Sequence, residues 1–311
     1  MKHIAVIGSG LIGRAWSIVF ARAKHHVYLF DNQNSAAEKA IGQIEQGLSD
    51  LKQYGLIEES PSVVLKRIHA CKSMEQAVSQ ADYVQENTSE NLDIKQKVFS
   101  DLDLYAPSDC ILASSTSTIQ TSLFSENLEG RHRCLVAHPV NPPHIVPIVE
   151  ISPAPWTDST TIERTYELHK SVGQVPILVK KEVPGFILNR LQAALLQEAW
   201  RLVDEDYVSV EDLDKTVKDG LGLRWAFMGP FETIDLNAPG GVADYAARFG
   251  SAYAEMMSNV QHPTWEGSLV KKIEGQRRNI LPFSRHSEKE LWRDRKLMEL
   301  IAHKRDKHPS D

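Results

Sequence analysis

An α/β fold, a doubly wound and mostly parallel sheet followed by a smaller all-helical domain, is what three observations on this chain predict. Short apolar runs ending in turn residues alternate with helix-period stretches as far as Val179. A glycine cluster, Gly8-Ser9-Gly10-Leu11-Ile12-Gly13, stands between the first apolar run and the first helical stretch. Beyond Lys180-Lys181-Glu182-Val183-Pro184-Gly185 helical periodicity continues with no convincing strand. Strands separated by helices pair in parallel, and a glycine turn that opens a helix marks the sheet as Rossmann-type.

Residues 2–7 form the first strand, 10–24 carry helical periodicity, and His26-Val27-Tyr28-Leu29-Phe30 is a second buried strand. Together they make a βαβ unit. Further strands fall at Tyr83 to Gln85, Cys110 to Ala113, Cys134 to Ala137, Ile148 to Ile151 and Val175 to Val179, with helical stretches such as 93–103 and 159–172 among them. The boundary lies at 183, giving a Rossmann-type domain over 1–182 and a helical substrate and dimerisation domain over 183–311. Phe186 to Glu205 repeats apolar residues at helical spacing, Glu211 to Lys218 follows as a short helix, and Pro230, Pro239, Pro263 and Pro282 punctuate the rest. A long apolar helix that opens a small helical domain serves as core and dimer contact together, so a homodimer is expected. Glu288 to Asp306, dense in both charge signs, reads as a solvated helix ending in a frayed tail.

At 311 residues and 42% hydrophobic content the chain has room for two cores. Its net charge of -6 argues against nucleic-acid or anionic-membrane partners, which attract basic surfaces, and leaves a small-molecule substrate. Cys71, Cys110 and Cys134 are odd in number and lack CxxC spacing, so they suggest neither a disulfide framework nor a metal site. The opening Met1-Lys2-His3-Ile4-Ala5-Val6-Ile7-Gly8 lacks a signal-peptide pattern, and no run of about 18 apolar residues occurs. The expected compartment is the cytoplasm.

The glycine cluster has the context a dinucleotide site needs. Gly8 permits the tight turn, Gly10 lets the backbone approach a pyrophosphate, and Gly13 allows close helix–strand packing. The helix start, with the N–H groups of Leu11 and Ile12, supplies donors and positive dipole potential. Asp31 ends the next strand, where it accepts from the adenine ribose hydroxyls and repels a 2′-phosphate; neither Asn32 nor Gln33 offsets it with a cation. NAD is favoured over NADP. Glu90 and Lys95 follow the strand that starts at Tyr83, on the crevice side of such a sheet. They are candidate cofactor contacts, against the plainer reading of charges at a helix start.

His138 ends the strand Cys134 to Ala137 and precedes the loop Pro139-Val140-Asn141-Pro142-Pro143. Glu150 sits inside Ile148-Val149-Glu150-Ile151, and a carboxylate in an apolar strand is expensive unless paired. His138 is its natural partner: the carboxylate fixes one ring nitrogen and leaves the other as general base. Ser117 lies in Ser114-Ser115-Thr116-Ser117-Thr118, where hydroxyls also cap helices, and Asn189 is a polar residue early in an apolar helix. Each alone is bland; the inference rests on all four.

Here the chain resembles the L-3-hydroxyacyl-CoA dehydrogenase superfamily along nearly its full length. The glycine turn, Ser-Ser-Thr-Ser, Ala-His-Pro, Val-Glu-Ile and Gly-Phe-Ile-Leu-Asn-Arg elements stand in family order. The resemblance implies a His138–Glu150 catalytic dyad, with Ser117 and Asn189 binding the reacting oxygen. Tyr83-Val84-Gln85-Glu86, Glu198-Ala199-Trp200-Arg201-Leu202-Val203 and the run from Asp219 to Thr233 resemble most the branch of lambda-crystallin, an L-gulonate 3-dehydrogenase, and next L-carnitine dehydrogenase. The implied reaction is NAD-dependent oxidation of the 3-hydroxyl of a small L-3-hydroxy acid. A 3-hydroxyacyl-CoA and L-carnitine are rival substrates, and an NADH-binding crystallin-like structural protein is the rival outside catalysis. Arg224, between Leu223 and Trp225, is the candidate clamp for a substrate carboxylate, with a domain-interface salt bridge as the alternative. Trp225 and Phe227 read either as an apolar wall of the site or as core.

Overall fold

The computed structural model describes residues 1–258, 260 and 263–307, with side chains described as far as 304. Its sheet has eight strands: β1 His3–Ile7, β2 His26–Phe30, β3 Ile68–Ala70, β4 Tyr83–Glu86, β5 Ile111–Ser114, β6 Cys134–Pro139, β7 Ile148–Pro153 and β8 Val175–Leu178. Their spatial order is β3-β2-β1-β4-β5-β6-β7-β8. Every pairing is parallel except β6 with β7, which run antiparallel with His138 directly opposite Glu150. β3 escaped the sequence reading because a three-residue edge strand carries no period to detect.

The longer helices are α1 Leu11–Arg22, α2 Ala36–Gln53, α3 Leu92–Tyr105, α4 Ser159–Ser171, α5 Leu188–Asp204, α6 Gly241–Met257, α7 Gly267–Ile280 and α8 His286–Lys307. Strand alternation sends Ile4 and Val6 to one face, where they pack with Trp16, Phe20 and Leu48, and sends Ala5 and Ile7 to the other, with Phe99 and Leu112. Both faces are dry, as a parallel sheet covered by helices requires. The three cysteines are buried free thiols, with Cys110 pushed up to about 12 by burial.

The chain divides into two compact units, Met1–Arg190 with Leu291–Asp311, and Leu191–Glu290. The turn before α5 and the first residues of that helix belong to the first unit. The C-terminal helix departs from expectation. Met298 is buried, and Leu297, Ile301 and Ala302 pack against the first unit's core, so α8 is solvated on one side only. The frayed tail expected beyond it lies outside the described residues. The second unit is all-helical and holds a π-helical segment at Thr216–Leu221 followed by a short helix Gly222–Trp225.

Candidate active site

The strand order reverses direction between β1 and β4, and ligands of doubly wound sheets bind outside the carboxyl ends of strands at that point. A cleft of about 620 Å³ opens there, lined among others by Gly8, Gly10, Asp31, Asn87 and Lys97. The three glycines are demanded for three different reasons. Gly8 has φ +93°, and a Cβ on it would stand 2.7 Å from the Asn87 carbonyl oxygen. A Cβ on Gly13 would clash with the Gly8 carbonyl oxygen, so helix and strand close only without one. A Cβ on Gly10 meets no atom of the chain within 4 Å; the space beside it is open to a ligand. The N–H groups of Leu11, Ile12 and Gly13 precede the first helical bond, Arg14 to Gly10, and a pyrophosphate can accept from them. Asp31 accepts from the Ser9 N–H and hydroxyl through Oδ2, at 2.7 and 2.8 Å, which ties this carboxylate to the glycine turn.

The dyad is a cross-strand pair. His138 Nδ1 stands 2.8 Å from Glu150 Oε2, with both side chains buried. Glu150 Oε1 accepts from the N–H groups of Ile187 and Leu188, each at 2.9 Å. Burial acts to raise the Glu150 pKa; the His138 bond and the two N–H donors outweigh it and hold the carboxyl below its usual range. An ionised carboxylate only accepts, so Nδ1 of His138 donates and Nε2 carries the lone pair of the neutral ring.

Asn189, Ser117 and Glu90 form a chain of hydrogen bonds that reaches the start of α5, beside the N–H groups that Glu150 accepts. Asn189 Nδ2 donates to the Ser117 carbonyl at 2.9 Å, and Glu90 Oε1 accepts from the Ser117 and Thr118 N–H groups at 3.0 Å. Glu90 also takes the Thr116 hydroxyl at 2.6 Å. Its pKa is lowered: burial works upward, but Thr116, Lys95 and Thr118 together prevail. Glu90 thus shapes the serine loop rather than lying idle at a helix start. Lys95 differs from both sequence readings. It is 1% exposed, with its ammonium 3.1 and 3.0 Å from the two oxygens of the fully buried Glu86. That ammonium is committed to a buried ion pair, and the cleft lining includes Lys97 rather than Lys95.

Model descriptions of two domains match the chain: the 3-hydroxyacyl-CoA dehydrogenase NAD binding domain over residues 3–183 and the 3-hydroxyacyl-CoA dehydrogenase C-terminal domain over 185–281. The chain belongs to the 3-hydroxyacyl-CoA dehydrogenase family. It is 40% identical to the mouse (Mus musculus) lambda-crystallin homolog, over 98% of this chain and 97% of that protein. It is 34% identical to L-carnitine dehydrogenase of Oceanobacillus iheyensis, over 88% of each. Among solved structures it is similar to FHMPC 5-dehydrogenase, an NAD+-dependent dismutase, with TM-score 0.82, 28% identity and 98% of each chain covered.

As a 3-hydroxyacyl-CoA dehydrogenase family member the chain is an NAD-dependent oxidoreductase, and the glycine turn, Asp31 and the cleft beside Gly10 fit that cofactor. Sequence reasoning missed the polar network that supports Asn87. Gln85 donates to Ser115 Oγ at 2.7 Å, and Ser115 donates to Asn87 Oδ1 at 2.7 Å, which fixes Asn87 at the cleft wall. The signal was present: Gln85 and Glu86 are polar residues inside a strand, and such residues need partners. Arg224 lies in the second unit, is exposed, and forms no ion pair among the described residues. Trp225 and Phe227 are 40% and 65% exposed, which removes their reading as core.

Proposed function

We propose that this dehydrogenase oxidises the 3-hydroxyl of a small free L-3-hydroxy acid of the L-gulonate type. The observation that carries the chemistry is the buried His138–Glu150 pair, with Nδ1 engaged at 2.8 Å and Nε2 left to take a proton. NAD, when bound, supplies the two-electron acceptor. His138 Nε2 accepts the hydroxyl proton, and the ionised Glu150 stabilises the ring as it becomes positive. Ser117 and Asn189, bonded to one another, hold the substrate oxygen in reach of that nitrogen.

A free acid is favoured over a thioester by the full-length likeness to lambda-crystallin homologs and by a relative named for L-carnitine, itself a free 3-hydroxy acid. Arg224 is assigned to the substrate carboxylate. Residue intactness at Ser117, His138, Glu150 and Asn189 weighs against a purely structural crystallin-like role. The deciding experiment compares NADH formation on L-gulonate, L-carnitine, L-3-hydroxybutyrate and L-3-hydroxybutyryl-CoA at equal enzyme and saturating NAD. Preference for a free acid supports the reading, and preference for the thioester overturns it.

We also propose a homodimer through the helical unit, acting in the cytoplasm. Among its described residues only Val203, Val210, Thr233, Ala238 and Leu269 are buried, while Phe231, Leu236 and Met256 are exposed by 76%, 74% and 67%. So little core calls for a second copy to cover it. No described helix is long and apolar enough to cross a membrane.

A further inference from the structure

Phe186 stands beside the dyad, and no role assigned so far uses it. It is fully buried, yet its backbone is left-handed at φ 50°, directly after Gly185 at φ 75°. A bulky residue adopts that backbone only where its surroundings impose it, and such strain gathers at functional sites. Two contacts depend on this turn. The Phe186 ring packs against the His138 imidazole, with centroids 5.3 Å apart and planes tilted by 40°. The next two residues then present their N–H groups to Glu150 Oε1, each at 2.9 Å.

The Cβ–Cγ tether and the hydrogen bond from Nδ1 to Glu150 restrain the imidazole along one edge and leave a tilt of the ring, which moves Nε2 most. Aiming Nε2 at a substrate hydroxyl needs a second contact on the ring face. We infer that Phe186 is a positioning residue of the dyad: its ring sets the plane of His138, while the left-handed turn it forms with Gly185 sets the Glu150 carboxylate. The inference rests on the reading of His138 as general base. Its alternative is that Phe186 is core and nothing more, since it also packs in the cluster that holds Val136 and Val179.

The test uses the full chain, its Phe186→Leu variant, which keeps the apolar bulk, and Phe186→Gly, which suits the left-handed backbone but removes the ring. Three readouts are taken: KM against kcat for NAD and hydroxy acid across pH, thermal midpoint, and the 1H–15N signal of the His138 Nδ1–H, assigned by its loss in His138→Gln. Both variants should keep the KM for NAD, lose about tenfold or more in kcat, shift the limb of the kcat profile that reports His138, and displace the Nδ1–H signal. An unmoved signal and unmoved pH profile in Phe186→Leu, with only the thermal midpoint lowered, overturns the inference. If the wild-type chain turns over no 3-hydroxy acid or thioester, the general-base reading has failed. The imidazole signal still decides positioning: displaced, it stands; unmoved, it falls.

Discussion

At Glu150 three donors meet one buried carboxylate, and the consequence reaches both chemistry and stability. Replacing His138 with Gln should cut turnover by about a hundredfold or more, the low end for losing a general base. NAD affinity, measured by fluorescence titration, should stay nearly unchanged. Turnover retained in that variant removes His138 from the mechanism. Arg224→Met addresses a different link, uniform binding of the substrate carboxylate. A charge-assisted bond of about 1.5–3 kcal/mol implies a KM for the acid raised about tenfold or more, with kcat little altered. An unchanged KM takes Arg224 out of the site.

Among elements, the glycine turn between β1 and α1 separates folding from binding within six residues. Gly10→Ala meets no chain atom and keeps an ordinary φ, so the thermal midpoint should hold while NAD binding weakens by about tenfold or more, because the new methyl occupies ligand space. Gly13→Ala drives a Cβ into the Gly8 oxygen and should destabilise the fold by about 1–3 kcal/mol as well. Equal thermal loss in both variants would refute that division. The α4 helix carries an acid-sensitive group: His169 is fully buried, its Nε2 bonded to the Tyr83 hydroxyl at 3.0 Å, and burial lowers its pKa to about 3. The folded pKa lies below the ordinary histidine value of 6.5, so the unfolded state binds the proton first and stability falls as pH drops from 6.5 towards 3. The slope is at most about 1.4 kcal/mol per pH unit for this group. His144, lowered to about 4 by burial and by Arg22, adds to the same window, and Glu150 joins only below its ordinary carboxylate range. Thermal midpoints from pH 7 to 4 should decline less steeply in His169→Gln; an identical decline rules His169 out as a cause.

On the scale of the molecule, two features reach beyond local structure. Helix α8 returns the chain's end to the first unit, where Met298 is 4% exposed. Met298→Ala should destabilise that unit by about 2–5 kcal/mol, read from denaturant unfolding, while a surface role would leave it unmoved. The helical unit buries few of its own side chains, and the proposed second copy gives sedimentation a clear outcome: a dimer for the wild type, dissociation on Phe231→Asp with Leu236→Asp. A monomeric wild type rejects the dimer.

The sequence by itself determined what local pattern can encode. Apolar runs and helical periods marked seven of the strands in the sheet now seen with eight, and the glycine cluster marked the cofactor turn. Glu150 was legible as half of a pair because an ionised group in an apolar strand demands a partner wherever the chain leads. Tertiary structure decided the rest. Lys95 became a buried ion-pair member because Glu86, nine residues earlier, is folded back beneath it. Met298 became core because α8 happens to dock on the first unit, and the left-handed turn at Gly185 and Phe186 took its meaning from His138 and Glu150, far behind it in sequence. Periodicity records which face of an element is apolar; it carries no record of which distant element will cover that face.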